Sequence, residues 1–241
     1  MRSPLLGGRW RQLAARVAYI IRAQALYWVA VVWRRLLRRT TFIAITGSHG
    51  KTTAKEILAA ILATSGPTIK GRRNENTGLS LTRHVLRVRP WHRYAVLEVG
   101  VGGPGEMARL GRLVHPDVAV VLSVLRSHTM TFGTLEAHAA EKAILLRKLR
   151  RGGVALLNAD DALVAAMARS VRGELLRFGR SPASDVWAEG VAARWPGRLE
   201  FDLRTRDGGA CHVRTRLVGE HWCTAVTGAI TAAIPVQSIM A

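Results

Sequence analysis

One stretch constrains this 241-residue chain more than any other: Ala44-Ile45-Thr46-Gly47-Ser48-His49-Gly50-Lys51-Thr52-Thr53. A β-rich run, Thr41 to Ile45, leads into it, and a helix-forming run, Thr53 to Ala63, leads out. Strand, glycine turn and helix in that order form an anion site, because backbone N–H groups and the helix N-terminus converge on one point. Gly47 and Gly50 let the chain close around phosphate oxygens, with Ser48, His49 and Thr53 completing the cradle. Lys51 reaches the terminal phosphates, and the Thr52 hydroxyl is placed to hold Mg²⁺. The spacing falls short of a full Walker A, since Ile45 stands where the first glycine belongs. The bland alternative is a strand–turn–helix corner with a surface lysine. The joint occurrence of all three parts favours polyphosphate binding.

The segments that follow alternate. After the helix, Ser65-Gly66-Pro67 is a stop signal, Thr68-Ile69-Lys70 suits a short strand, and Leu79 to Leu86 suits a helix. Tyr94 to Val99 and Asp117 to Ser123 read as buried strands. A helix over 135–149, a strand at 154–157 and a helix capped by Asn158-Ala159-Asp160-Asp161 complete the series. Continuous apolar strands alternating with helices predict an α/β fold of P-loop type, a mostly parallel sheet with helices on both faces. From Glu174 the texture changes to alternating runs at 175–178, 185–188, 199–203 and 212–217. These predict a small antiparallel sheet near the C-terminus. A last helix, His221 to Ala233, is expected to end before Pro235 and leave residues 235–241 as a tail.

The balance of 36 basic against 16 acidic residues gives a formal charge of +20. Such a charge attracts polyanions, but the arginines are scattered and no basic–aromatic alternation appears, which argues against nucleic acid as a partner. Cys211 and Cys223 have no metal or redox spacing, which suits a reducing cytoplasm. Residues 1–40 hold nine arginines and no acid around the uncharged run Ala23 to Trp33, expected to form a basic, apolar helix. That run is too short to span a bilayer. Tryptophans and tyrosines beside arginines suit contact with a membrane surface, here the inner face; packing on the domain or on a partner is the alternative.

Glu98 ends a predicted central strand, on the sheet edge where open α/β sheets bind ligands, and could complete the shell of a nucleotide's Mg²⁺. His128 follows another strand end, where a lone histidine is usually solvated. Lys142 taken alone is a surface lysine. Asn158 and Asp160 read as a helix cap, and Asn74 and Asn76 as turn formers or nucleotide contacts.

Taken together these segments resemble the Mur ligase family, ATP-dependent enzymes that form amide bonds in peptidoglycan assembly. The matching pieces are Thr46 to Thr53, Asn74-Glu75-Asn76-Thr77-Gly78, Val96-Leu97-Glu98-Val99-Gly100, His128 through Phe132-Gly133 to Glu141-Lys142, and Asn158 to Asp161. Pro104-Gly105-Glu106 and Phe132-Gly133-Thr134 resemble the branch that adds D-alanyl-D-alanine. The resemblance covers residues 41–234, the family's central ATP-binding domain. It implies that Lys51 neutralises the β- and γ-phosphates and that Thr52 and Glu98 hold one Mg²⁺. It further implies that His128 binds a second Mg²⁺, with carbamylated Lys142 as an acidic ligand near it, and that Asn74 contacts the nucleotide. The implied chemistry activates a substrate carboxylate as an acyl phosphate, which an amine, an amino acid or peptide, then attacks.

The family's UDP-binding N-terminal domain and its C-terminal domain are expected to be absent from these residues, so amide formation would need a separate domain or partner. The family's Gly-x-His-Asn-x-x-Asn segment stands here as Gly219-Glu220-His221-Trp222-Cys223-Thr224-Ala225, without either asparagine. Two other readings stay open: a catalytically incomplete ATP-binding module that anchors or regulates envelope assembly, and a standalone P-loop ATPase.

Overall fold

In the computed structural model, residues 4–72, 78–125 and 129–238 are described. A single sheet of nine strands organises them, in the order β2-β3-β1-β4-β5-β6-β7-β8-β9. The strands are β1 Thr41–Thr46, β2 Thr68–Lys70, β3 Tyr94–Glu98, β4 Val118–Val121, β5 Val154–Asn158, β6 Glu174–Gly179, β7 Val186–Ala192, β8 Glu200–Thr205 and β9 Ala210–Arg214. From β2 to β7 every pairing is parallel, and β8 and β9 extend the edge antiparallel. The predicted α/β class therefore holds.

One detail of it is corrected. The antiparallel strands are no separate sheet, and the run at 175–178 belongs to the parallel part, where β6 lies along β5 from Glu174 to Phe178. The first four residues of β6, 174–177, are more exposed than the central strands, which is why polar residues interrupt its apolar run.

Alternation within the central strands splits the core into two layers. Phe42, Ala44, Ala95, Leu97, Ala119 and Val121 face α1 (Pro4–Leu36), α3 (Gly78–Arg87), α4 (Glu106–Val114) and α6 (Leu135–Ala143). Ile43, Ile45, Val96, Val118 and Val120 face α2 (Lys51–Ala63) and α8 (Cys223–Ser238). Every residue of β1, β3, β4 and β5 is buried, so helices must cover both faces.

Two helix ends differ from expectation. α6, which follows the single turn α5 (Thr129–Phe132), stops at Ala143, and a 3₁₀ turn, Leu146–Lys148, replaces its last stretch ahead of β5 and the short α7 (Ala162–Ala165). α8 runs through Pro235 to Ser238. Proline removes one N–H, but Ala232, Ala233 and Val236 on both sides of it are buried, and their packing outweighs the lost bond.

α1 is half docked. Tyr27, Ala30, Val31 and Leu37 are buried against the domain, while every residue from Arg11 to Arg22 is exposed. The Tyr27 hydroxyl donates to Arg109 O (3.0 Å) and Trp33 Nε1 to Val88 O (2.9 Å). Arg34 is buried, donating to Val114 O, His115 O and Asp117 Oδ2 at 2.6–3.0 Å while its guanidinium lies 3.9 Å from the Phe42 ring centroid. Among the described residues, Arg11–Leu36 is the one helix whose length and composition would allow it to cross a membrane. The uncharged run alone is too short for that, but the helix continues well beyond it.

Candidate nucleotide site

The site lies where the sheet reverses its winding. β1 has β3 on one side and β4 on the other, and chain connections leave the ends of these strands in opposite directions. Such a point opens a crevice at the carboxyl ends of the strands. Register places the groups there: Ile45 is opposite Glu98, and Thr46 is opposite Val121.

The loop after β1 is strapped to the end of β4. Ser48 N–H donates to Ser123 O (2.8 Å), His49 N–H to Ser123 Oγ (3.2 Å), and Leu125 N–H to Ser48 Oγ (2.9 Å). Gly47 is closely packed: a Cβ there would lie 3.0 Å from Leu122 Cβ and 3.1 Å from Ser123 N, so that its neighbours would have to give way. Gly50 adopts φ +78°, the left-handed conformation that turns the loop into α2, and no side chain caps that helix. The first N–H groups of α2 accordingly face the crevice end of the sheet.

Lys51 and Thr52 open α2. The Thr52 hydroxyl donates to Glu98 Oε2 at 2.8 Å, joining the first turn of α2 to the end of β3. Lys51 Nζ donates to Ser48 O at 3.4 Å, back across its own loop. Burial pulls the Lys51 amine below its ordinary pKa, and the Glu98 carboxylate partly restores it. Thr53 sits one position further along α2, half-buried.

Lys142 is no surface lysine. It is only 3 % exposed, and its pKa falls to about 8, mainly through burial and next through the positive charge of Lys51, with Glu141 opposing. Its amine thus lies within electrostatic reach of the phosphate-loop lysine. Glu141 also proves more than a bystander. Its carboxylate accepts from Gly105 N–H (3.0 Å) and Met107 N–H (2.7 Å), capping α4, whose N-cap Gly105 has no side chain to do so. That glycine at a helix start is the signal in the sequence that could have found it.

Asn158 and Asp160 are not the cap of the following helix. Asp161 is, accepting from Leu163 and Val164 N–H, and its other oxygen holds Val124 N–H at 2.7 Å. Asn158 donates to Leu122 O, and Asp160 accepts from Arg180 N–H through both oxygens. These bonds fix the β4, β5 and β6 ends to one another. Beside the loop a cavity of about 460 Å³ is lined by His49, Gly50, Leu122, Asn158, Trp222 and Ala225. His128 and Asn74 lie outside the described residues. Among the described residues no group of three or more His, Cys, Asp or Glu side chains is gathered as for a metal ion.

Fold and loop together define a P-loop-type α/β domain. The chain belongs to the Mur ligase family, whose middle-domain model matches residues 45–233. It is 35 % identical over 216 residues to the UDP-N-acetylmuramoyl-tripeptide–D-alanyl-D-alanine ligase of Mycobacterium tuberculosis, covering 90 % of this chain and 42 % of the relative. A crystal structure of MurF from Acinetobacter baumannii superposes with a TM-score of 0.84 at 30 % identity, over 89 % of this chain and 47 % of that one. The MurF ligase of Thermotoga maritima in complex with ADP superposes with a TM-score of 0.78 at 25 % identity, over 89 % and 49 %. This chain therefore spans less than half the length of these relatives.

Proposed function

We propose that the chain binds ATP with Mg²⁺ and serves as the nucleotide-handling part of a cytoplasmic ligase in peptidoglycan precursor assembly. The observation that supports this best is the 2.8 Å Thr52–Glu98 bond beside Lys51 at the strand ends. A hydroxyl and a carboxylate, both hard oxygen donors, suit Mg²⁺. When bound, Mg²⁺ would neutralise charge developing on the transferred phosphoryl group.

The chain's own residues do the rest. Amides of the Gly47–Gly50 loop and the start of α2 hold phosphate oxygens, and Lys51 lies against the terminal phosphates. Thr52 and Glu98 would hold the ion. His128 and Asn74 keep the roles their motif suggests, a metal ligand and a nucleotide contact. Lys142, whose pKa falls to about 8, gives up its proton more readily than an ordinary lysine, and the neutral amine can take up CO₂ as a carbamate, turning a buried cation into an anion beside Lys51.

By analogy with the relatives' names, the acid is the UDP-N-acetylmuramoyl-tripeptide and the amine is D-alanyl-D-alanine. The acid's carboxylate oxygen takes the γ-phosphoryl group and ADP departs. The amine nitrogen then attacks the acyl carbon, phosphate leaves, and the amine loses its proton. Parts of the relatives that this chain does not span would bring those substrates in, supplied by another domain or partner. A second reading, ATP binding without ligation, rests on Trp222 and Ala225, which line the cavity beside Gly50 at the two positions where the family segment has asparagines.

Calorimetry and product analysis separate the readings. Lys51→Ala is expected to weaken Mg·ATP binding at least about tenfold, the loss of one charge-assisted contact. Unchanged affinity would sink the site assignment. With both substrates present, amide and phosphate appearing together support the ligase. ATP binding without either product supports the non-ligating module, and phosphate released without any acceptor supports a standalone ATPase.

A further inference from the structure

The outward face of α1 is apolar and points away from the domain it is anchored to. Val17, Ile21, Trp28, Val29, Val32 and Leu36 are between 46 % and 65 % exposed. With Ala25 they recur at spacings of three and four, so they form one stripe along the helix. The stripe lies opposite Tyr27, Ala30, Val31 and Arg34, the residues that dock α1 on the domain. Exposed arginines edge it, Arg11 and Arg22 on one side and Arg35 on the other. No acidic residue precedes Glu56 in the chain.

We propose that this stripe docks α1 on an anionic lipid bilayer, with the helix axis in the plane of the membrane. Charge selects that occupant. An apolar strip edged by arginines, whose stems lie along the acyl boundary while their heads reach phosphates, matches an acidic lipid surface on both counts. A second copy of α1 would bring arginine against arginine with no carboxylate to pair them. Crossing the bilayer is disfavoured twice. Arg16 and Arg22 would enter the hydrocarbon, and the Tyr27–Leu37 segment is held to the domain by the buried Arg34–Asp117 pair. The surface is independent of the nucleotide site, so its failure would leave the function proposed above intact.

The test is sedimentation of the full chain with phosphatidylglycerol–phosphatidylcholine vesicles against pure phosphatidylcholine. Binding is expected only to the acidic vesicles and should weaken in high salt. Arg11→Gln with Arg22→Gln should lower the partition coefficient roughly thirtyfold, two surface charges' worth. Ile21→Ser with Val32→Ser should lower it at least about tenfold, with circular dichroism and the unfolding midpoint unchanged because both side chains face outward. Equal binding to neutral vesicles, no binding to either, or wild-type binding by the serine variant would overturn the proposal. So would a solution dimer of the wild-type chain that the serine variant dissolves.

Discussion

Lys142→Met offers the sharpest check on the electrostatics of the site. The lysine is 3 % exposed, and its pKa drops from 10.5 to about 8. Each pKa unit corresponds to about 1.4 kcal/mol, so holding the charged amine there costs roughly 3 kcal/mol in the native state. The sign follows from proton counting. Below about pH 8 folded and unfolded chains both carry the proton, and the full cost is present. Between about 8 and 10.5 the unfolded chain keeps a proton that the folded one has released, so wild-type stability rises with pH. Above that window the cost is gone. Methionine is similar in length and never charged. Lys142→Met should therefore stabilise the protein at pH 7 by up to about 3 kcal/mol, and the gain should fade on the way to pH 10.5. Urea unfolding in CO₂-free buffer measures this, since a carbamate would itself remove the cation. A variant no more stable than wild type at pH 7, or a gain that does not shrink as pH rises, would refute the reasoning.

Two further outcomes follow from the same geometry. Arg34→Met removes donors to Val114 O, His115 O and Asp117, leaving the buried carboxylate with Phe42 N–H and half-exposed Arg150. It should cost about 3–5 kcal/mol in urea unfolding and speed proteolysis after Leu37, and a loss below about 1 kcal/mol would show the pair to be incidental. Gly50→Ala places a side chain at φ +78° with its Cβ 3.1 Å from Ala225 Cβ. The backbone strain should cost about 1–2 kcal/mol and turn the first amides of α2, lowering ATP affinity more than tenfold by calorimetry. Wild-type affinity would mean that the loop tolerates another path.

The architecture was legible where burial is two-sided. Phe42-Ile43-Ala44-Ile45, Ala95-Val96-Leu97 and Val118-Ala119-Val120-Val121 have no polar interruption, because each alternate residue meets a different helical layer. That pattern carries the strands, their parallel pairing and the edge on which Glu98 lies. Legibility failed where tertiary packing decides. Nothing local in Ala232-Ala233-Ile234-Pro235-Val236 says that buried neighbours carry the helix through the proline. Continuity of the sheet from β5 into β6 and β7 is likewise a non-local pairing that strand texture does not encode.

The site divides along the same line. Gly47, Gly50, Lys51 and Thr52 could be found because a phosphate loop is a local object, set by backbone conformation over a few residues. Lys142 could be nominated only through resemblance, because its chemistry is made by what surrounds it. A lysine in Ala-Glu-Lys-Ala is ordinary until α6 is packed against α4 and the adjacent Glu141 is committed to the α4 amides. That commitment has a consequence for Lys142. Glu141 holds two N–H donors, and its pull on the amine loses to burial and to Lys51. The adjacent carboxylate of Glu141 thus stabilises the helix start more than the cation beside it. An amine so placed is relieved of its burden by losing a proton, and only a carbamate then formed on it would put the negative charge that a divalent ion requires on the side of the crevice that Lys51 already makes positive.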